Sequence, residues 1–190
     1  MKKINIKSIL IPTTSLLVIC IVVTALLAVT NAITAPKIMA LSAENEEKAK
    51  KSVLTVATEF SEEKTINSGD TELKYFDGIS ETKENVGYVF LTSKKGYGGD
   101  IKIMVGVSSD GKVAGVQILQ IDETAGLGMN AKKESFLSQF TGKSGKISVS
   151  KTAPKENEIQ ALTGATITSA AMADAVNIAL SAYETLKGVK

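Results

Sequence analysis

Several hydroxyl-bearing residues surround one glycine near the carboxyl end of the chain. The run Thr-Gly-Ala-Thr-Ile-Thr-Ser at positions 163–169 stands just before an alanine-rich stretch that favours a helix. The first turn of a helix has amides without partners and the positive end of the helix dipole, so it favours a phosphate. Gly164 lets the chain turn and lets a ligand approach the backbone. The pattern therefore indicates a phosphate held by these amides, or esterified to one of the hydroxyls.

The same residues also have a simpler interpretation. Threonine and serine are common at the amino-terminal cap of a helix, because their hydroxyls accept hydrogen bonds from the free amides. Taken alone, the local sequence favours this capping role over phosphate binding. Evidence from other parts of the sequence is needed to choose between helix capping and phosphate binding.

The residue types that are missing narrow the chemistry further. There is no histidine, which excludes Ser-His-Asp and Cys-His catalysis and most zinc sites. The single cysteine, Cys20, lies in an apolar run, so intrachain disulfides and cysteine-ligated iron–sulfur clusters are excluded too. The 22 basic and 20 acidic residues nearly cancel, and the lysines form no stripe that would bind nucleic acid. We expect no metal site and no nucleic-acid partner, and any redox chemistry requires an organic cofactor.

An uncharged segment from residue 8 to residue 36 predicts a membrane anchor. About 20 apolar residues in a helix span a bilayer core, and residues 9–28 meet that requirement. A cleavable signal peptide is the alternative, but its apolar core would run only about 7–15 residues. Lysines precede the segment and glutamates follow it, so the positive-inside rule places the later residues outside the cell. We predict a cytoplasmic tail at residues 1–8 and a single transmembrane helix at residues 9–35.

Four alanines of this anchor, Ala25, Ala28, Ala32 and Ala35, fall on one face of the predicted helix. Small residues let a second helix approach closely in lipid, as in a subunit of a larger membrane complex. Alanine is also common in membrane helices that make no such contact. Both interpretations stay open from these residues alone.

The residues after the anchor predict an α+β domain. An amphipathic helix is expected from Ser42 to Phe60, and it forms residues 36–70 together with a polar linker. Asp110-Gly111 tolerates the backbone of a tight turn and predicts a hairpin. Because the strands are grouped between helices, we predict a mainly antiparallel sheet with flanking helices over residues 71–190. The expected strands are 72–76, 86–91, 100–107, 112–120 and 146–150, and the expected helices are 131–140 and 167–186.

Residues 162–169 resemble the flavin attachment motif of a known family. This family is the FMN-binding domain shared by the G subunit of Rnf electron transport complexes and the C subunit of the sodium-pumping NADH:quinone reductase. Its members receive FMN through a phosphoester on the threonine that closes Ser/Thr-Gly-Ala-Thr, and a separate flavin transferase attaches it. That threonine is Thr166 here. The family motif has Asp where this chain has Gln160, so one carboxylate of the motif is missing.

Two more motifs carry the resemblance. Gly-Tyr-Gly-Gly-Asp-Ile at residues 96–101 resembles the glycine-rich turn that precedes a strand in the family. Residues 122–128 are similar to its Glu-Thr-x-Gly-Leu-Gly loop, which lies against the flavin, with Ala125 where proline is common. Residues 31–36 and the acidic stretch after them resemble the end of the anchor of Rnf G subunits. Each glycine motif alone would indicate only a loop or a β-bulge, and their order behind one anchor favours the family.

The resemblance implies a covalently bound FMN and a role as electron relay between ferredoxin and NAD⁺, coupled to sodium or proton translocation. The implied partners are the other membrane subunits of an Rnf complex and a flavin transferase. The chain has no Gly-x-Gly-x-x-Gly fingerprint for a nicotinamide cofactor, so we expect it to relay electrons without binding NADH. The implied role needs no acid–base catalyst in this chain. The cofactor-binding residues that it implies are Thr163, Gly164, Ala165, Thr166, Ile167, Thr168, Glu123, Thr124, Gly126, Leu127 and Gly128.

Three alternatives remain at this stage. The chain could be the C subunit of the quinone reductase or a stand-alone extracellular flavoprotein, although its lack of large insertions favours the Rnf complex. It could also be a non-redox anchored domain in which Thr-Gly-Ala-Thr only caps a helix.

Overall fold

The computed structural model describes residues 6–68 and 71–188 of the 190-residue chain. The chain divides into two compact units, Met1–Glu44 and Asn45–Lys190. The second unit has the expected α+β fold, an antiparallel sheet with helices beside it. Of the predicted cytoplasmic tail, residues 1–5 lie outside the described residues.

The predicted anchor forms part of a longer helix, α1 (Ile6–Val53). Its large apolar side chains up to Leu41 are exposed, and the helix is long and apolar enough to cross a membrane. The amphipathic helix expected from Ser42 to Phe60 is confirmed only as far as Val53. Its predicted start is wrong, because α1 runs through Ser42 without a break, and its predicted end is wrong, because Glu59 and Phe60 form a strand. Alanine, glutamate and lysine around Ser42 are strong helix formers, and they outweigh the stop that Pro36 and a capping serine suggest.

Among the described residues, six strands form one antiparallel sheet, in which the order is β1-β3-β4-β5-β6 and β2 also pairs with β3. The central strands are confirmed, because their alternating or continuous apolar residues pack on both faces. The polar linker expected over residues 61–70 contains a strand instead. The strands are β1 (Glu59–Phe60), β2 (Lys64–Ser68), β3 (Thr71–Ile79), β4 (Asn85–Lys95), β5 (Asp100–Ser108) and β6 (Val113–Gln120).

The hairpin between β5 and β6 is confirmed. Gly111 has a φ of 81°, and its N–H donates to the Ser108 carbonyl at 2.9 Å. The Tyr183 hydroxyl donates to the Ser109 carbonyl at 2.7 Å, which attaches the turn to the carboxyl-terminal helix.

The segment after β6 is more irregular than the sequence predicts. The helix expected at residues 131–140 is instead a 3₁₀ turn (Gly128–Lys132), a short helix α2 (Glu134–Leu137) and a second 3₁₀ turn (Ser138–Phe140). The break occurs at Lys133, whose backbone is extended with a ψ of 136°. This irregular segment keeps Ala131, Phe136, Leu137 and Phe140 buried in the core without a continuous helix.

The last part of the chain contains two short strands and the long terminal helix. β7 (Ser148–Ser150) pairs in parallel with β8 (Glu158–Gln160), a strand that the sequence did not predict. The terminal helix α3 (Thr166–Gly188) is confirmed. Its apolar face packs on the sheet together with the aromatic side chains of β4, and the start of the helix lies at the edge of this core.

On the opposite face of the sheet, four glycines make room for the end of α1; we call them the glycine furrow. A Cβ on Gly115 would lie 3.0 Å from both Cα and the carbonyl oxygen of Val53. A Cβ on Gly106 would lie 2.7 Å from the carbonyl carbon of Val53. Val53 and Leu54 are fully buried there. The furrow consists of Gly78, Gly87, Gly106 and Gly115.

Candidate functional site

Three segments of the second unit meet around a cavity of about 580 Å³. They are the turn at residues 96–99 between β4 and β5, the loop at residues 122–128 after β6, and the beginning of α3. A cavity of this size lies within the range of about 300–1,000 Å³ that holds small molecules and cofactors. Its lining consists of Tyr97, Glu123, Thr124, Leu127, Gly128, Gly164, Ala165, Thr166, Ile167 and Thr168.

Nine of the eleven residues implied by the family resemblance therefore line one cavity. Thr163 and Gly126 lie in the adjoining turns and do not line it. Tyr97 is a lining residue that the sequence prediction omitted, and its position between two glycines of the 96–99 turn was the available signal. The fold thus brings the three motifs together, while the binding role of each residue stays a prediction.

The beginning of α3 offers free backbone donors to this cavity. The Ala165 N–H donates to the Leu162 carbonyl at 3.0 Å in a turn where Gly164 has a φ of 75°. The first helical hydrogen bond follows, from Ser169 N–H to the Ala165 carbonyl at 3.0 Å. The three amides between them have no helical acceptor. There is no acidic residue in the first turn of the helix itself, where a negative charge would offset the positive end of the helix dipole.

The hydroxyl group that stabilises this end of α3 belongs to a serine and not to the predicted threonines. Ser169 Oγ accepts a hydrogen bond from Leu162 N–H at 2.9 Å and donates one to the Ala165 carbonyl at 3.0 Å. Thr163 and Thr166 are exposed, and within the described part of the chain their hydroxyls make no hydrogen bond. The capping interpretation of these two threonines is therefore wrong, and the Thr166 hydroxyl stays accessible at the cavity.

The rim of the cavity carries three exposed apolar side chains. Tyr97, Leu127 and Ile167 line it with exposed fractions of 70%, 43% and 55%. The opposite part of the lining is polar, with Thr168 only 1% exposed and Glu123 half-buried. Flat apolar contacts beside a few polar groups are the arrangement that binds a ring system with a polar edge.

The loop at residues 122–128 is held in place by its own hydrogen bonds. The Thr124 carbonyl accepts from the N–H groups of Leu127 and Met129, each at 3.2 Å. The Asn130 side-chain amide donates to the Gly126 carbonyl at 2.7 Å. The turn depends on the positive φ of Gly126, 77°. These bonds keep Leu127 at the rim, where its Cδ2 approaches the turn before α3.

Gln160, which stands where the family motif has a carboxylate, is the last residue of β8 and does not line the cavity. Its N–H donates to the Gln139 side-chain oxygen at 2.7 Å, and its own side chain is exposed. Glutamine at this position therefore places a polar, uncharged side chain on the surface, just before the Thr-Gly-Ala-Thr turn in the sequence.

Comparison with known proteins gives matches over both units. Residues 96–181 match the FMN-binding domain, and residues 1–56 match the RnfG N-terminal region. The G subunit of the Na(+)-translocating ferredoxin:NAD(+) oxidoreductase complex from Acetobacterium woodii is 36% identical over 190 residues, covering 90% of this chain and 89% of that protein. The G subunit of an ion-translocating oxidoreductase complex from Methanosarcina acetivorans is 31% identical over 180 residues, covering 92% and 94%.

Solved structures with the same fold include the C subunit of a Na(+)-translocating NADH-quinone reductase and a protein named NqrC. The C subunit of the enzyme from Parabacteroides distasonis superposes with a TM-score of 0.55 at 21% identity, covering 66% of this chain and 76% of that one. NqrC from Shewanella oneidensis gives a TM-score of 0.54 at 20% identity, covering 69% and 70%. At these identities the likeness establishes the fold of the second unit.

Proposed function

Since this chain belongs to the family of G subunits of ion-translocating oxidoreductase complexes, we propose that it relays electrons in such a complex through FMN bonded to Thr166. The complexes named for its relatives are ferredoxin:NAD⁺ oxidoreductases. The observation that carries the covalent part is the Thr166 hydroxyl, which is exposed at the cavity beside amides that have no helical acceptor.

The residues around Thr166 suit a phosphoester. Thr166 Oγ1 would bond to the flavin-side phosphorus of an activated flavin nucleotide, and the bond from that phosphorus to the bridging oxygen of the pyrophosphate would break. A nucleoside monophosphate would depart with the bridging oxygen, and the proton of the threonine hydroxyl would pass to solvent. The first amides of α3 and its dipole favour the negative charge of the phosphodiester product. Gly164 gives the turn before the helix its φ of 75°, and a Cβ there would crowd Leu127 Cδ2 at 3.0 Å; the Thr166 side chain beside this turn is exposed. A separate transferase then has access to the hydroxyl.

The cavity fits the rest of an FMN group by size and by polarity. Tyr97, Leu127 and Ile167 provide exposed apolar surface for a ring, and Glu123 and Thr168 provide polar atoms on the inner side. Bound FMN supplies reversible one- and two-electron transfer, which side chains of this composition cannot provide. The residues of the chain bind and orient the group, and none of them has to act as an acid–base catalyst.

The charge pattern around α1 supports a location outside the cytoplasm for the second unit. Lysines precede the apolar segment and glutamates follow it. A dissociable cofactor is lost from a site that faces a large outside volume, since mass action empties the site. A phosphoester at Thr166 removes that loss. It also keeps the ring near one place, from which electrons can pass to cofactors of neighbouring subunits.

Fluorescence of the protein band tests the covalent bond. The full chain from its native host is separated on a denaturing gel and viewed under ultraviolet light. We expect a fluorescent band for the wild type and for Thr163→Ala, and a dark band for Thr166→Ala, because only the last variant lacks the acceptor oxygen. A dark wild-type band, or fluorescence that persists in Thr166→Ala, would refute attachment at Thr166. The transferase must be present in the host for the wild type to be loaded.

Co-purification separates the proposed complex from the other flavoproteins of the same fold. Isolation of the tagged chain under mild detergent should bring down a ferredoxin-reactive membrane complex. Isolation with a quinone reductase, or as a lone flavoprotein, would contradict the assignment to a ferredoxin:NAD⁺ oxidoreductase while leaving the flavin itself intact.

A further inference from the structure

We propose that Glu123 is a positioning residue of the cavity with a separate task for each carboxylate oxygen. One oxygen ties the 96–99 turn to the 122–128 loop. The other keeps a negative charge at the cavity wall, which lowers the reduction potential of the bound group. The second part rests on the proposed function, and the first part does not.

The tie is a hydrogen bond between two segments that are far apart in sequence. Tyr97 N–H donates to Glu123 Oε1 at 2.7 Å. A hydrogen bond to an ionised carboxylate is shorter and stronger than one between neutral groups. Tyr97 is 70% exposed. The bond therefore holds the backbone of Tyr97, and with it the base of the side chain, at the rim of the cavity.

Two glycines make the space that this carboxylate occupies. A Cβ on Gly128 would lie 2.7 Å from Glu123 Oε2 and 2.8 Å from Glu123 Cβ. A Cβ on Gly96 would collide with Glu123 Oε1 and would lie 2.9 Å from Ile101 Cδ1. The glycines of both motifs thus fit around the same side chain.

The second oxygen, Oε2, faces the part of the cavity next to α3. The Cβ position of Gly128 is 2.8 Å from Thr168 Oγ1 as well as 2.7 Å from Oε2, so the carboxylate and the buried threonine both lie close to this glycine. Within the described part of the chain, no donor is bonded to Oε2. A carboxylate oxygen accepts more than one hydrogen bond, so Oε2 is available to a donor in the cavity.

A fixed negative charge at this wall has a consequence for electron transfer. Adding an electron to a ring makes it more negative, and a nearby carboxylate opposes that change. Removing the charge without removing the side chain should therefore raise the reduction potential. The neighbouring Asp122 provides a matched control, because it is exposed, does not line the cavity and, among the described residues, its carboxylate accepts only from Gln120 Nε2 at 3.3 Å.

The experiment compares Glu123→Gln, Glu123→Ala and Asp122→Asn in the full chain, purified in detergent from the native host. Exchange of the Tyr97 amide hydrogen reports the tie, and spectroelectrochemical titration of the flavin reports the potential. Glu123→Gln keeps a carbonyl acceptor, so it should retain amide protection but raise the potential. Glu123→Ala should speed Tyr97 exchange by about ten- to a hundredfold, as expected for the loss of a hydrogen bond to a charged group. Asp122→Asn should change neither readout.

Unchanged Tyr97 exchange in Glu123→Ala would overturn the tie. An unchanged potential in Glu123→Gln, or an equal rise in Asp122→Asn, would overturn the charge role. A wild type without flavin would refute the proposed function and with it the charge role, while Tyr97 exchange would still decide the tie.

Discussion

The glycine furrow and the cavity loops both depend on glycine, but for opposite physical reasons. In the furrow, the missing Cβ lets the backbone of Val53 pack directly on the sheet. At the cavity, Gly126 and Gly164 have positive φ angles, and a Cβ on Gly126 would meet nothing within 4 Å. Gly106 and Gly115 of the furrow serve packing density, whereas Gly126 and Gly164 serve backbone conformation, and Gly126 also leaves open space beside it.

The difference predicts which substitutions unfold the protein and which impair only the site. A furrow substitution forces a methyl group into a filled interface. A substitution in a cavity turn strains one backbone position and leaves the core unchanged. Stability and flavin content should therefore respond separately in the two regions.

The furrow should give the largest loss of stability. Gly106→Ala places a methyl group against the backbone of Val53, and overpacking of this kind costs about 1–3 kcal/mol of the free energy of unfolding. Urea denaturation of the full chain in detergent measures it. Gly188→Ala, where a Cβ meets nothing within 4 Å, should stay within about 0.5 kcal/mol of the wild type. Equal stabilities of the two variants would contradict close packing in the furrow.

A substitution in the turn before α3 should reduce the stability of the protein less than a furrow substitution, and it should reduce the covalent flavin content more. Gly164→Ala holds alanine at a φ of 75°, which costs about 1 kcal/mol or makes the turn shift away from Thr166. We expect a moderate drop in the denaturation midpoint and a clear drop in covalent fluorescence per chain. Gly142→Ala imposes the same strain at a φ of 80° in a turn that does not line the cavity, so it should lower stability and retain full fluorescence. Equal fluorescence in both variants would argue against a special role for the Gly164 turn.

A substitution in the hairpin at Gly111 should change the stability of the protein least. Hydrogen bonds from Ser108 and Lys112 lower the pKa of the Asp110 carboxyl below 3.8. A carboxyl group whose pKa is lower in the folded than in the unfolded chain stabilises the fold at pH values above its unfolded pKa. This contribution is lost as the pH falls through the folded pKa. Because Asp110 is fully exposed, solvent screens the interaction. Asp110→Asn should unfold slightly more easily than the wild type at neutral pH, and this difference in stability should disappear in acid. A difference that grows as the pH falls would refute the stabilising role of the ionised Asp110 carboxylate.

The sequence predicted the central strands, the hairpin and α3 because their signals are local. Alternation of apolar residues marks β4 to β6, and Asp110-Gly111 marks the turn between the last two of them. The continuity of α1 was missed, because the missing amide of Pro36 and the capping type of Ser42 are local stop signals. Helix propensity over the surrounding turns outweighed both.

The site was predicted in part for a similar reason. The glycine motifs indicated the loops, but the pairing that brings them together is a property of the sheet order, which local patterns do not contain. Tyr97 is bonded to Glu123 through its backbone N–H. Every residue except proline has this group, so the residue type of Tyr97 could not predict the bond. Ser169 was predicted only as one of several hydroxyls, and its selection depends on the geometry of the turn at Leu162.

Intact-mass measurement of the chain from its native host, followed by fragmentation, tests the central proposal most directly. We expect a mass increase equal to one FMN less one water, and fragment ions that assign it to Thr166. An unmodified chain, or the same increase on Thr163, would contradict covalent attachment at the beginning of α3.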